Sequence, residues 1–187
     1  MRLAGLVAAG VGVALGIFSP REKSLLAPRE VESAPAPEGI YTDAEIVAIL
    51  DEANRTDSSA GYYAYSRATS PEVKKYAAWL MKDDHEMRRR DQRVASRFGV
   101  VLPMMVADDP IKPAADSQLT ELKALASGPG FDRRYVEQEV DLHRSRIQLE
   151  QQLLGSTDSQ ALENLIRSDL DIVQQDLTRG ESLKPRI

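Results

Sequence analysis

Apolar residues return at alternating steps of four and three along most of this chain, the spacing that gathers them on one face of an α-helix. The first such stripe reads Ile46, Leu50, Ala53, Asp57, Ala60, Ala64 and Ala68. Thr42 followed by Glu45 predicts a capping box at its start, with Tyr41 placed to pack on Ile46 as a hydrophobic staple. Ser70-Pro71-Glu72 ends this helix and begins the next, with Ser70 as N-cap and Pro71 at the first helical position. So short a link predicts an antiparallel pair. The second stripe runs Val73, Ala77, Leu80, Asp84, Met87, Asp91, Val94, Phe98 and stops at Gly99.

The connection from Val100 to Gly130 is long and is broken by Pro103, Pro110, Pro113 and the Gly128-Pro129-Gly130 turn. One short helix is predicted near Ser117 to Ala126, where Leu119, Leu122 and Leu125 share a face. A third long helix is predicted from about Asp132 to Leu154, with Val136, Val140, His143, Ile147 and Leu154 on one side. Gly155-Ser156-Thr157-Asp158 reads as a turn with Asp158 as N-cap. A fourth helix then continues to about Leu183 along Leu162, Ile166, Asp169, Val173, Asp176 and Gly180. Two helical hairpins joined by one long crossover predict an all-α, ferritin-like four-helix bundle over residues 41–185, with the second and third long helices running parallel.

The beginning of the chain follows a different pattern. Arg2 precedes a stretch, Leu3 to Phe18, that is apolar or glycine throughout. As a helix it would span about 24 Å, short of the roughly 30 Å hydrocarbon core of a bilayer. Ala14-Leu15-Gly16 is a small-x-small motif of the kind cleaved on export. Residues 1–18 are therefore expected to be a signal peptide, with a short uncleaved membrane anchor as the alternative. The expected location is periplasmic or secreted, or tethered to the inner membrane through residues 3–18 if they are retained. Residues 19–40 carry Pro20, Pro28, Pro35 and Pro37 among charged and small side chains and read as a linker.

Composition narrows the classes of function. A hydrophobic share of 42% and a charged share of 28% are those of an ordinary globular protein. The net charge of −5 and the absence of a basic stripe with interleaved aromatics argue against a nucleic-acid partner. The chain has no cysteine, which removes disulfides, thiol chemistry, cysteine metal sites and a lipid-anchored Cys. No nucleophile–base arrangement, Gly-x-Ser-x-Gly motif or phosphate loop is present, so no enzymatic activity is evident. Methionines at helix-core spacing read as gap fillers, and Arg88-Arg89-Arg90 as a solvated face.

Several segments carry a family resemblance. Asp57 to Ala68, Ser70-Pro71-Glu72-Val73-Lys74-Lys75-Tyr76-Ala77, Asp83-Asp84-His85 and Gly99-Val100-Val101-Leu102-Pro103 resemble the first hairpin of the DUF4142 family. Phe131-Asp132-Arg133-Arg134-Tyr135-Val136 and Asp141-Leu142-His143 resemble its third helix. The likeness covers roughly residues 43–183. It implies a ferritin-like bundle of a kind typically exported in bacteria, without an established activity. The chain departs from the family pattern at several positions. The helix-two His position falls on Asp84, with His85 displaced by one residue, and the helix-four His position falls on Asp176. Asp57 stands where Glu is usual and Ser59 replaces a second Glu, while His143 stands where the pattern puts it.

Asp57, Asp84, His143 and Asp176 thus occupy stripe positions where aliphatic side chains would pack better. Buried unpaired carboxylates are costly, so these groups need partners, protons or a cation. Four such side chains from four helices could hold Fe, Mn or Zn, with His85 and Glu139 as alternates. By depth along the helices His143 is matched better by Asp169 than by Asp176, which sits nearer Glu139. The di-iron signature, Glu-x-x-His on two helices, is missing: three residues before His85 is Lys82, and three before His143 is Val140. Its absence favours a structural polar layer with no cofactor. The sequence-level reading is an exported bundle of structural, interaction or stress-related role, acting through an unidentified protein partner or self-association. The rival is a metal-binding or oxidoreductase bundle using the interior acids and His143.

Overall fold

A computed structural model describes residues 41–187. The predicted signal peptide or anchor and the linker lie outside the described residues. Five α-helices follow one another: α1 (Asp43–Arg67), α2 (Pro71–Ala95), α3 (Lys112–Ala124), α4 (Pro129–Leu154) and α5 (Gln160–Leu183). Among the described residues there is no strand, and no helix is long and apolar enough to cross a membrane.

The local signals do what their chemistry requires. Thr42 Oγ1 accepts from the Glu45 backbone N–H, while Glu45 Oε2 accepts from the Thr42 N–H at 2.8 Å, closing the capping box. Ser70 caps α2 with Pro71 behind it. The last turn of the second stripe tightens into a 3₁₀ turn, Ser96–Phe98, and Gly99 follows at φ 71°, a left-handed conformation that glycine adopts without a Cβ clash.

Three boundaries differ from expectation. The short helix begins at Lys112 and ends at Ala124, so Pro113 lies in its first turn instead of breaking the chain. A first-turn proline forfeits only an N–H that no helical carbonyl would have used. The Asp109 carboxylate takes the free N–H groups of Ile111 and Lys112, at 2.8 and 3.0 Å. By the same rule α4 begins at Pro129, three residues ahead of Asp132. The cap of α5 is Ser159, not Asp158. Buried Thr157 sets that register: its hydroxyl donates to Asp43 at 2.7 Å and accepts from the Ser159 N–H at 3.0 Å.

Two polar ties fix the topology. Asp132, at the start of α4, accepts from Thr69 and Ser70 at the end of α1, so α4 starts where α1 finishes. Thr157, before α5, reaches Asp43 at the start of α1. The long helices therefore run up, down, down and up: α2 and α4 are parallel, and the crossover climbs the length of the bundle, about 38 Å. Within it, α3 lies against α1 and α4, where Ile111 and Ala115 pack with Ala53 and Leu142.

The core has apolar ends. One cluster holds Ala64, Val73, Leu80, Phe131, Tyr135 and Leu183; the other holds Ile46, Leu50, Ala95, Leu153, Leu162 and Ile166. Between them the middle of the bundle is polar. Asn54, Asp57, Asp84, Asp91, Glu139, His143, Arg146, Asp169 and Asp176 are all buried there.

Candidate metal centre

The helical period builds the polar middle. On α4 the steps from Glu139 to His143, Arg146 and Glu150 are four, three and four, so all four side chains face the interior. Asp57 projects from α1, Asp84 and Asp91 from α2, Asp169 and Asp176 from α5. These groups divide into two layers.

The first layer centres on Asp57, Glu139 and His143, which can each offer one ligand atom with all three atoms within 4.8 Å of one another. His143 is 1% exposed, and its Nδ1 lies 2.7 Å from the Glu139 backbone carbonyl. Only an N–H can make that contact favourable, so Nδ1 carries the proton and donates. Nε2 then presents a lone pair, 3.6 Å from Asp57 Oδ2. Burial drives the imidazole pKa down, against the pull of the Asp57 charge and the Glu139 carbonyl, which keeps the ring neutral at pH 7. A neutral nitrogen facing a carboxylate is two acceptors with no donor between them. Asp57 Oδ1 and Glu139 Oε2 are also buried without hydrogen-bond partners.

Asp84 and Asp176 complete this layer. Asp84 is held well above the usual carboxylate range by burial and then by the charges on Asp57, Asp176 and Asp83, with Arg146 opposing. Glu139 is raised for the same reasons: burial first, then the Asp57 charge and a hydrogen bond shared with it, then Asp84 and Asp176. Asp176 is pushed up to about 7 by burial, Asp83 and Asp57, while Arg179 pulls the other way. Its contact with Arg179 Nη1 is 2.7 Å.

The second layer lies one turn further along. Arg146 donates to Glu150 at 2.6 Å, Asn54 donates to Asp91 at 2.8 Å, and Arg90 lies 3.5 Å from Asp169. Burial alone would depress the Arg146 guanidinium, but Glu150 and Asp169 outweigh it and hold it charged. This layer supplies its own cations; in the first, Arg179 serves Asp176, but among the described residues no Lys or Arg pairs with Asp57 or Glu139. That asymmetry makes Asp57, Glu139 and His143 the better place for a metal ion.

The structure thus brings three of the six sequence candidates, Asp57, His143 and the alternate Glu139, into one cluster, and buries Asp84 and Asp176 in the same layer. His85 is set apart: one residue on from Asp84, it points about 100° away round α2 and is exposed. Asp169 belongs to the second layer, against Arg90 and Arg146, and is not among the groups acting on His143. Asn54, Arg146 and Glu150 were missed from sequence, although the four-three-four run through His143 pointed to the last two.

The Asp57–His143 pair has the spacing a cation needs, and Glu139 Oε2 stands 3.9 Å from the ring at Nδ1. Ligand atoms about 2.1 Å from a tetrahedral ion are about 3.4 Å apart, close to the 3.6 Å between His143 Nε2 and Asp57 Oδ2. An imidazole whose other nitrogen donates to a backbone carbonyl is also the usual support for a metal-bound histidine.

Over residues 27–183 the sequence matches the family described as Domain of unknown function (DUF4142). No curated protein gives a significant match. Among solved structures, the fold is similar to the crystal structure of a DUF305 fragment from Deinococcus radiodurans. The two are 12% identical, with a TM-score of 0.68 over 81% of this chain and 100% of that one, a likeness of fold alone.

Proposed function

Because the chain belongs to the DUF4142 family, whose description leaves activity open, we propose from its interior that it is an exported helical-bundle protein holding one divalent ion, Fe, Mn or Zn, between α1 and α4. Asp57, Glu139 and His143 are the ligands, and Asp84 and Asp176 are the further buried acids that act on Glu139. The observation that carries this reading is the buried His143 lone pair facing a carboxylate, with partnerless oxygens on Asp57 and Glu139. Two carboxylates and one imidazole suit first-row divalent ions better than soft copper(I). Export is supported by Arg2, the apolar run from Leu3 to Phe18 and Ala14-Leu15-Gly16.

A second reading has its own support. The Asp57 and Glu139 carboxyls lie close enough to share a hydrogen bond, and a proton on one of them would neutralise the layer without metal. The bundle would then be structural, with a polar layer that fixes helix register. Elemental analysis of protein purified from its native compartment separates the two. The metal reading expects close to one equivalent of a single transition metal, lost in His143→Ala and Glu139→Gln. Metal at trace level in the wild type would leave the proton-neutralised layer. Export is tested by fusing, after Gly39, a reporter that works only outside the cytoplasm; silence with an active cytoplasmic control rejects it.

A further inference from the structure

A buried cation centre needs a path to solvent, and at the seam between α2 and α5 an acidic side chain, Asp83, reaches the surface. Asp83, next to Asp84 on α2, keeps 14% of its side chain exposed, whereas the Asp176 side chain is 2% exposed. Arg179 sits across both. Its Nη1 is 2.7 Å from Asp176 Oδ1 and 3.9 Å from Asp83 Oδ2. The same guanidinium lies 3.9 Å above the Trp79 ring centre. Arg179 is therefore a positive charge held between two carboxylates and an indole face, with 34% of its side chain open to solvent.

Behind Arg179 the acidic groups continue inward. Asp84 Oδ2 is buried and has no hydrogen-bond partner. Asp57 and Glu139 follow, each with a partnerless oxygen of its own. Asp83 acts on Asp84 and Asp176, and these two act on Glu139 beside Asp57. The acids are thus neighbours from Asp83 inward, and Arg179, of the charge the centre would take, sits on Asp83 and Asp176. Arg179 also has room to leave. It lines a groove of about 410 Å³ with Trp79, Tyr76 and Lys75, and a smaller one of about 280 Å³ with Gln174 and Gln175.

Resting on the metal reading above, we propose that Asp83 and Asp176 form a transfer site through which a divalent cation reaches Asp57, Glu139 and His143, and that Arg179, seated on Trp79, is the gate that closes it. When Arg179 swings into either groove, Asp83 and Asp176 lose their guanidinium and take the incoming ion. When it returns, the ion is shut into the interior. The gate acts on passage in both directions, so it sets rates more than affinity.

The test follows zinc alone, passed to and from the purified metal-free protein by a chromophoric chelator in stopped flow. Arg179→Met keeps the apolar stem but removes the charge and the fork. The gate predicts that uptake and release both quicken at least tenfold while Kd moves less than threefold. Trp79→Ala loosens the closed position and should quicken both severalfold. Asp83→Asn should slow uptake. If Arg179 acted only through its charge, removing it would speed uptake, slow release and tighten Kd, and that pattern would overturn the gate. Unchanged rates in Arg179→Met, with zinc still bound, would also overturn it while leaving the interior centre standing. A wild-type protein that takes no zinc, manganese or iron would remove the centre itself.

Discussion

At Gly180 α5 comes close to Tyr76 of α2 and Val140 of α4, and Gly180→Ala is the sharpest probe of how the layer is held. A Cβ at this position would stand 2.6 Å from Tyr76 Oη and 2.9 Å from Val140 Cγ2. Both neighbours are buried, and Tyr76 uses that hydroxyl to donate to the Asp176 carbonyl at 3.1 Å. Helix propensity alone would make the change favourable by about 0.8–1 kcal/mol. Forcing a methyl into a filled core costs about 1–3 kcal/mol, and losing the Tyr76 hydrogen bond costs about 1 kcal/mol more. The net expectation is a loss of about 1–3 kcal/mol in urea unfolding. Gly61→Ala is the milder comparison: a Cβ there would stand 2.9 Å from Met81 Cγ, on a side chain that can shift, and 3.3 Å from the Ala77 carbonyl oxygen, with the helix-propensity gain offsetting the strain. It should stay within about 1 kcal/mol of wild type. Tyr76→Phe removes the atom that Gly180→Ala strikes, so the double variant should lose about 1 kcal/mol less than the two singles summed. A Gly180→Ala protein as stable as wild type, or more stable, would refute the close approach of α5 to α2.

Three further perturbations probe other joints. Asp132→Ala orphans the N–H groups of Thr69 and Ser70, which the carboxylate now accepts at 2.9 and 2.7 Å; the expected loss is about 2–4 kcal/mol in urea unfolding, with Asp132→Asn in between. Arg146→Met strips the buried cation from Glu150 and Asp169 and should destabilise by about 3–5 kcal/mol, part of it recovered on adding Glu150→Gln; a loss under about 1 kcal/mol would contradict the second layer. Asp169, raised to about 7 mainly by burial, keeps its proton in the folded chain between about pH 4 and 7 while the unfolded chain has released it, so that contribution is full below about pH 4 and lost as pH rises through 7. Metal-free protein should melt several degrees higher at pH 5.5 than at pH 8, and a flat or rising midpoint across that window would count against the burial of these acids.

The bundle was legible because its signals are local. Thr42 with Glu45, Ser70 with Pro71, and Gly99 each act within one turn, and the four-three stripes name the buried faces directly. The boundaries at Lys112, Pro129 and Ser159 were harder, since a proline that breaks a helix interior is welcome in its first turn. Ser159 displaced Asp158 because Thr157 is tied to Asp43, a contact across the whole chain. At the candidate site, the spacing put Asp57, Asp84, His143 and Asp176 in the interior. It did not choose Glu139 over Asp84 as the neighbour of His143. That choice depends on the packing of α4 against α1, which no single-helix period contains. The role of Arg179 was equally hidden, because it depends on three residues of α2 and α5 meeting at one guanidinium.

Metal-dependent melting is the most direct test of the interior cation centre. Metal-stripped wild type is scanned at pH 7.5 alone and with Zn, Mn or Fe(II) in turn, beside His143→Ala, Glu139→Gln and the exposed control His85→Ala. An ion at a hundredfold excess over its Kd adds about 2.7 kcal/mol, which raises the midpoint by several degrees. The account predicts that rise for at least one of the three ions in wild type and His85→Ala, and its loss in His143→Ala and Glu139→Gln. A wild-type midpoint that no ion moves, or an equal rise in His143→Ala, would contradict it.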